Sequence, residues 1–310
     1  MERHLNSSIP KTTFMIAAIG LDVDDTFVRF VSYAAEKGCS IQPVNLRAAV
    51  EGDWKFEIPS GIATLHYRDQ RIELRPEYSY FCRIIDLSTR NSDKTVRDRW
   101  RSLLRALKVW FDSVRGNVIN RSLSGAHNSS KPLHESILKS LGFQVPPSIT
   151  SSDRTELLDF LRGGACISKT VCGTRADTRT ITVAELECFE TTSGPIHVQR
   201  YVQGADARIH VVGEHLVAQR VSVSQVDYRR AGGGISNMEL FDPPEQIKRS
   251  LVDATRSLGL GFAGWDFKID EFDKFWCLEA NPMPGYSPYD IRSNGAISDL
   301  LIAQLDSAAR

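Results

Sequence analysis

The chain's apolar residues form continuous, alternating and helically spaced runs, and together these predict an α/β protein. The continuous run at residues 14–21 predicts a buried strand, and the spaced apolar residues after the acidic turn at 22–25 predict a helix ending at Gly38. From residue 92 to Gly116, eight apolar residues share one stripe, which predicts a core-facing helix. Alternating residues at 61–74 and 78–86 predict strands. These elements predict a small α/β N-terminal domain over residues 13–122, preceded by a tail at 1–12.

A second domain is predicted over residues 123–310. It begins after a Gly/Ser-rich loop, with a helix that holds Pro132 in its first turn and a short helix that stops at Gly163. The rest is rich in predicted strands, at residues 165–172, 180–189, 196–202, 207–212 and 216–224, with one helix at 244–258. We expect two lobes, one over residues 123–198 and one over 199–310.

Charge and cysteine content narrow the class of protein. The 310 residues carry 38 basic and 38 acidic side chains, so no net charge favours nucleic acid or an anionic membrane as a partner. The six cysteines form no C-x-x-C pair, and the first apolar run is too short to span a membrane. We therefore expect a protein of the reducing cytoplasm, with no nucleic-acid and no membrane partner.

The stretch from 265 to 281 predicts a β-hairpin whose turn lies between Phe272 and Asp273. In that register Asp266 lies opposite Glu279, and Asn281 follows two residues later on the same face. Two carboxylates and an amide oxygen are hard ligands suited to Mg²⁺. The alternative is a solvent-exposed polar face of an edge hairpin. The opposite face is expected to be filled by Phe267, Ile269, Trp276 and Leu278.

The hairpin also carries a family likeness. Asp266-Phe267, followed after a spacer by Leu278-Glu279-Ala280-Asn281-Pro282, resembles the metal-binding end of ATP-grasp ligases. The chain looks most similar to the ribosomal-protein glutamate-ligase-like enzymes and to the graspetide synthetases, which are peptide macrocyclases. The likeness covers residues 120–300 well and the N-terminal domain more loosely. It implies an ATP-grasp fold with a pre-ATP-grasp α/β domain, ATP between two lobes, and Mg²⁺, for which Mn²⁺ can substitute, on Asp266, Glu279 and Asn281.

The resemblance also implies a set of nucleotide contacts. Two lysines that could otherwise be solvated surface residues match the phosphate-binding lysines of the family, and Asp206 matches its ribose-binding carboxylate. The strand exit is expected to bind adenine through backbone groups, although the family commonly has Glu where this chain has Arg200. The full set of expected nucleotide-binding residues is Lys131, Lys169, Gln199, Arg200, Tyr201, Val202 and Asp206.

Two arginines are the expected catalytic residues. Arg208, in an Asp-x-Arg pattern, and Arg229 match positions that stabilise charge on phosphate or substrate in the family, although each could instead form a surface ion pair. The segment from 173 to 179 resembles the loop that closes over the phosphates, and the glycines at 232–234 provide a flexible approach to the site.

These residues suit a ligase that activates a carboxylate as an acyl phosphate and transfers it to an amine or hydroxyl, releasing ADP and phosphate. The sequence contains no P-loop motif and no ordered motif for nucleophilic catalysis. The substrate is either a precursor peptide or a small molecule that receives an amino acid. An ATP-binding module without turnover, which orders a partner-binding surface, is the alternative from another class. The chain could also act as a homodimer.

Overall fold

The structure is a computed structural model that describes residues 15–59, 61–171, 178–190, 194–221 and 238–307. Arg229, most of the predicted phosphate loop, the 232–234 glycines and the N-terminal tail lie outside these residues. The chain divides into two compact units, one of Met1–Ile119 with Ile302–Arg310 and one of Asn120–Leu301. The sequence placed the division at 122/123 and assigned the C-terminal residues to the second domain, so the return of the chain end to the first unit was not anticipated.

The first unit contains a parallel four-stranded sheet in the order β2-β1-β6-β7 and an antiparallel sheet in the order β3-β4-β5. Its longest helix begins after Asp93, whose side chain accepts a hydrogen bond from the Thr95 backbone N–H at 2.7 Å. The apolar stripe of that helix enters the core, with Trp110 fully buried. The elements are β1 Met15–Gly20, α1 Asp25–Glu36, β2 Ser40–Asn45, α2 Leu46–Glu51, β3 Asp53–Phe56, β4 Ala63–Tyr67, β5 Gln70–Leu74, β6 Ser79–Cys82, α3 Lys94–Ser113 and β7 Val118–Ile119, with a 3₁₀ turn at Ser88–Arg90.

The second unit contains two antiparallel sheets, in the orders β10-β9-β11-β8 and β14-β13-β12-β15-β16. Its elements are a 3₁₀ helix at Ser122–Ser129, α4 Lys131–Ser140, β8 Ser148–Ser151, α5 Arg154–Arg162, β9 Cys166–Lys169, β10 Arg179–Ile181, α6 Val183–Glu187, β11 Ile196–Arg200, β12 Ala205–Val212, β13 His215–Val221, β14 Met238–Leu240, α7 Glu245–Ser257, β15 Phe262–Ile269, β16 Phe275–Asn281, α8 Ser287–Arg292 and α9 Ala296–Ser307. The last helix continues from the second unit into the residues of the first. No helix among the described residues has the length and apolar character needed to cross a membrane.

The predicted strand at 180–189 is wrong beyond Ile181, because the chain turns there into helix α6. The Thr182 hydroxyl accepts a hydrogen bond from the Glu185 backbone N–H at 3.3 Å, and the Glu185 carboxylate accepts one from the Thr182 N–H at 2.8 Å. This reciprocal capping box satisfies two donors at a helix start, and its T-x-x-E pattern is visible in the sequence.

The five-stranded sheet has one apolar face and one polar face, and the polar face positions the candidate site. The apolar face lies in a core that also contains Leu138 of α4 and Leu251 of α7. The strand residues in that core are Ala207, Ile209, Val211, Ala218, Ala263, Trp265, Phe267, Ile269, Cys277 and Ala280. Because side chains alternate along a strand, the charged residues between them project from the other face.

Candidate active site

Four polar side chains form a line across the polar face of this sheet. Gln219 of β13 pairs with Arg208 of β12, Arg208 pairs with Asp266 of β15, and Asp266 pairs with Glu279 of β16. Asn281 stands two residues beyond Glu279, opposite Gly264. The predicted pairing of Asp266 with Glu279 is therefore confirmed, and the three predicted metal ligands share one face. The predicted turn centre is wrong, because Ile269 pairs with Phe275 and the turn is centred on Phe272, and a bulge in the second strand restores the pairing.

The predicted apolar face of the hairpin is wrong in its second strand. The register shifts between Asp266 and Phe267, so that Leu278 becomes the extra residue of a bulge and Cys277 lies opposite Phe267. Cys277 is therefore the buried core residue, whereas Leu278 is half-buried. Trp276 instead lies on the polar side, where its indole N–H donates to Asp270 at 2.8 Å.

The Glu279 carboxylate is held by two residues from the start of the second unit. Lys131 Nζ lies 3.2 Å from its Oε2 atom, and Asn128 Nδ2 donates to its Oε1 atom at 3.2 Å. Burial acts to raise the pKa of Glu279, but the Lys131 charge and the hydrogen bond from Asn128 outweigh it and lower that pKa to about 2. Glu279 is therefore ionised across the physiological range, as a metal ligand must be.

Arg208 is buried, with only 5% of its surface exposed, and its contacts include hydrogen bonds to Asp266 and His210. Its Nη1 atom donates to Asp266 Oδ1 at 2.6 Å, and its Nε atom donates to the His210 Nε2 atom at 3.3 Å. Burial, followed by the nearby Arg208 charge, lowers the pKa of His210 well below its usual value, so His210 is neutral and can accept this bond. A Cβ at Gly264 would come within 2.4 Å of Arg208 Nη2, so the glycine provides space for the guanidinium.

Asp206, the expected ribose ligand, is also on this face, where it is buried and paired with Lys268. The Lys268 Nζ atom lies 2.9 Å from Asp206 Oδ2. Lys268 is a partner that the sequence analysis missed, because cross-strand pairing of β12 with β15 cannot be read from one strand. The ribose role of Asp206 stays a prediction.

Lys169, the second expected phosphate ligand, is half-buried at the end of β9 and donates from Nζ to Gln199 Oε1 at 2.7 Å. Lys169 therefore has a structural partner, and the alternative of a solvated surface lysine is wrong. Burial lowers the pKa of Lys169, Glu135 opposes that shift, and Lys131 adds to it. Lys131 and Lys169 are therefore close enough to interact electrostatically, as two lysines around one triphosphate would be.

Arg200, Tyr201 and Val202 of the strand exit border a cavity of about 770 Å³ that the tip of the β15-β16 hairpin also lines, whereas Gln199 is fully buried. The backbone N–H groups of Arg200 and Tyr201 already donate to Pro147 and Ala165, at 2.8 and 2.9 Å. The predicted backbone N–H contact to adenine is therefore expected from residues after Tyr201 and not from Arg200 or Tyr201.

Arg200 occupies the position where the family commonly has Glu. Its side chain contacts residues of the same sheet and of helix α5. Its Nη1 atom donates to the Gly164 carbonyl at 2.8 Å, and its guanidinium lies over the Phe160 ring at 4.2 Å from the centroid. A Cβ at Gly163 would come within 2.1 Å of Nη2, so this glycine admits the side chain. Arg200 thus anchors the C-terminal end of α5, and its expected nucleotide contact stays a prediction.

The oxygen atoms of Asp266, Glu279 and Asn281 could provide some, but not all, of the ligands of a Mg²⁺ ion. Within the described residues, no three His, Cys, Asp or Glu side chains gather into a group that could hold a metal alone. The Asn281 oxygen also accepts a hydrogen bond from the Met283 N–H at 2.9 Å, which fixes its orientation. Two carboxylates and one amide oxygen suit a cation that takes its other ligands from phosphate and water.

Helix α4 contributes two buried polar residues that the sequence analysis missed, His134 and Glu135. The His134 Nε2 atom accepts a hydrogen bond from the Ala280 N–H at 2.9 Å and so fixes the strand beside Glu279. With Lys131, these residues follow the i, i+3, i+4 spacing of one helix face, on which Leu138 is fully buried. In the sequence, polar residues at helical spacing from an apolar leucine were the signal that could have indicated that His134 and Glu135 are buried.

We expect Lys169→Met to raise the Kd for MgATP by about tenfold or more, because the variant removes the ammonium group that is expected to bind the phosphates and keeps an unbranched side chain. Titration calorimetry measures this directly. Lys139→Met, an exposed lysine of α4, is the matched control and should bind like wild type. An equal Kd for MgATP in wild type and in Lys169→Met would show that Lys169 has only a structural role.

Acid unfolding tests the Glu279 ion pair. The pKa of Glu279 is lower in the folded chain than in the unfolded one, so its stabilising contribution is complete above pH 4.5 and is lost as pH falls towards 2. Glu279→Gln should remove the loss of stability that this carboxylate causes between pH 4.5 and pH 2. The measurement is the denaturation midpoint, without Mg²⁺, as a function of pH in this range. An unchanged slope would show that Lys131 and Glu279 do not interact in solution.

Comparisons with known proteins give the chain's relatives by sequence and by fold. No known family profile matches the chain. A probable alpha-L-glutamate ligase 2 of Shewanella denitrificans is 25% identical over 207 residues, which cover 62% of this chain and 68% of that protein.

Solved structures match almost the whole chain. The macrocyclase MdnC of Microcystis aeruginosa, bound to its precursor peptide MdnA, has a TM-score of 0.77 at 17% identity, over 94% of this chain and 100% of that one. The ATP-grasp ligase PsnB, complexed with a minimal precursor, Mg and ADP, has a TM-score of 0.73 at 22% identity, over 94% and 97%. These likenesses show the predicted α/β fold to be that of ATP-grasp enzymes. The chain is thus similar in sequence to probable alpha-L-glutamate ligases and has the fold of ATP-grasp enzymes.

Proposed function

We propose that this chain forms an amide or ester bond through an acyl phosphate, using ATP and releasing ADP and phosphate, with a peptide as its substrate. The observation that carries the proposal is the line from Arg208 through Asp266 to Glu279 and Lys131, in which two metal-competent carboxylates each face a cation. A solvent-exposed polar face would not bury Arg208 and Asp266 and half-bury Lys131 and Glu279, because burying ions costs free energy unless they are paired.

Each residue has a role that its position supports. Asp266, Glu279 and Asn281 would hold Mg²⁺, which when bound neutralises charge on the phosphate oxygens. Lys131 and Lys169 bind phosphate oxygens from the side of α4 and β9, and Arg208 orients Asp266. The substrate carboxylate attacks the γ-phosphate and releases ADP. An amine or hydroxyl then attacks the carbonyl carbon of the acyl phosphate, which forms the amide or ester and releases phosphate. Arg229, which lies outside the described residues, stays a proposed second charge-stabilising group.

The degree of structural similarity supports a peptide substrate. MdnC, bound to its precursor peptide, and PsnB, bound to a minimal precursor, match this chain with TM-scores of 0.77 and 0.73. The probable glutamate ligase is related to the chain by sequence, at 25% identity. Its sequence similarity supports the second candidate function, the addition of an amino acid to a small molecule or protein.

The decisive experiment is ADP release by the purified chain with MgATP. One series contains peptides rich in Asp or Glu and in Thr, Ser or Lys, and the other contains free glutamate with candidate acceptors. We expect release only with peptide, together with loss of one water mass per bond by mass spectrometry. Release only with free glutamate would favour the second candidate. Nucleotide binding without release in either series would favour a binding module without turnover.

A further inference from the structure

A buried network of side chains lies between helix α4 and the sheet that contains β8, β9 and β11. At its centre is Glu135, with 3% of its surface exposed. Its Oε1 atom accepts hydrogen bonds from Gln199 Nε2 at 2.7 Å and from His197 Nε2 at 2.9 Å. Its Oε2 atom accepts a third from the Ser148 hydroxyl. None of these contacts involves a residue proposed to hold Mg²⁺.

Gln199 connects this network to the phosphate site. Its side chain is fully buried, and while its Nε2 atom donates to Glu135, its Oε1 atom accepts from Lys169 Nζ at 2.7 Å. An amide side chain has one donor end and one acceptor end, so the partner at one end decides which atom faces the other partner.

We propose that Glu135 is a positioning residue of the nucleotide site, which acts through Gln199 to hold the Lys169 ammonium where it meets the phosphates. This inference rests on the proposed function, in which Lys169 binds the phosphates of the nucleotide. Glu135 itself does not touch substrate in this assignment.

The carboxylate is suited to this task because it accepts hydrogen bonds and cannot donate them. Burial acts to raise the pKa of Glu135, but the hydrogen bonds from His197 and Ser148 and the charges of His197 and Lys169 bring it below its ordinary value. An ionised Glu135 can pair only with the NH₂ end of Gln199, so the carbonyl end must face Lys169. The reversed amide would place its NH₂ group against the ammonium and leave both sets of donors unsatisfied.

Glu135 also supplies negative charge to Lys169. The groups that act on the Lys169 charge are Glu135 and Lys131 of α4, Glu279 of β16 and Asp266 of β15, and His197 is its cross-strand neighbour. Glu279 and Asp266 have Lys131 and Arg208 as direct partners. Glu135 is thus the acid with which Lys169 shares a hydrogen-bonded path, through one amide.

The test measures the Kd for MgADP by titration calorimetry in the full chain. Glu135→Met and Gln199→Met each break the path while keeping an unbranched side chain of similar length, and each is expected to raise the Kd about tenfold. In the double variant the Kd should match Gln199→Met within about twofold, because both substitutions break the same path. If Glu135→Met fails to fold, Gln199→Met still tests the Lys169 end.

Thr150→Val is the matched control. The Thr150 hydroxyl meets the other ring nitrogen of His197 at 2.8 Å, so the substitution loosens the network on the branch that does not reach Gln199. It should lower thermal stability and leave the Kd for MgADP unchanged. A purely structural role for Glu135 would instead give Kd values that follow the melting temperature across all these variants.

The outcomes separate this inference from the function on which it rests. Wild-type chain that does not bind MgADP would overturn both. Tight wild-type binding with a folded Glu135→Met variant whose Kd stays within about twofold of wild type would overturn the positioning role alone. Multiplicative effects in the double variant would also overturn it, because independent sites add in free energy.

Discussion

Replacing Glu279 with Gln is expected to lower Mg²⁺-dependent ADP formation by about 10²- to 10³-fold, the range observed when one preorganised electrostatic contact is lost. Gln keeps an oxygen to accept the hydrogen bond from Asn128, so the local shape is retained, but it lacks the charge that faces Lys131 and that Mg²⁺ requires. Single-turnover ADP formation at saturating MgATP measures the effect.

Glu187→Gln is the matched control for this variant. Glu187 is an exposed acid at the end of α6, outside the proposed ligand set, and its substitution changes the net charge by the same amount. Wild-type turnover is expected. Near-normal turnover in Glu279→Gln would remove this residue from the metal site and leave its pairing with Lys131 as a structural feature.

Arg208→Lys is expected to lower the rate of acyl-phosphate formation by about 10²-fold with a smaller change in ATP affinity. The planar guanidinium contacts Asp266 through Nη1 and His210 through Nε at the same time, which a single ammonium on a flexible stem cannot reproduce. Asp266 would keep a positive neighbour but lose its fixed orientation. Rapid-quench measurement of ADP formation separates this step from binding.

Two further variants give this prediction its controls. Gly264→Ala leaves Arg208 and Asp266 unchanged but places a methyl group where the guanidinium lies, so a folded variant should show a similar loss of rate. Arg256→Lys alters an exposed arginine of α7 that pairs with Glu214, and should react like wild type. Wild-type rates in Arg208→Lys would show that Arg208 has no part in phosphoryl transfer.

Local patterns predicted much of the framework. The apolar stripe of α3, its start near residue 92 and the β15-β16 hairpin were predicted because side-chain period and turn chemistry act over short distances within one segment. The elements from β2 to β3 were missed because they are short, and β2 contains Pro43 within a run of mixed polarity. The bulge at Asp266 and Phe267 was missed because an alternating pattern carries no sign of an extra residue.

The sequence by itself determined that Glu279 and Asn281 share one face, because they lie two residues apart in one strand, whereas Asp266 faces them only through the bulge that shifts the register between Asp266 and Phe267. Only the tertiary structure decided which charges meet them. Lys131 reaches Glu279 because α4 packs against β16, and Arg208 reaches Asp266 because β12 and β15 are neighbours. Strand order and helix packing join residues that are far apart in the chain, and the free energy that selects them comes from the whole core rather than from any one segment.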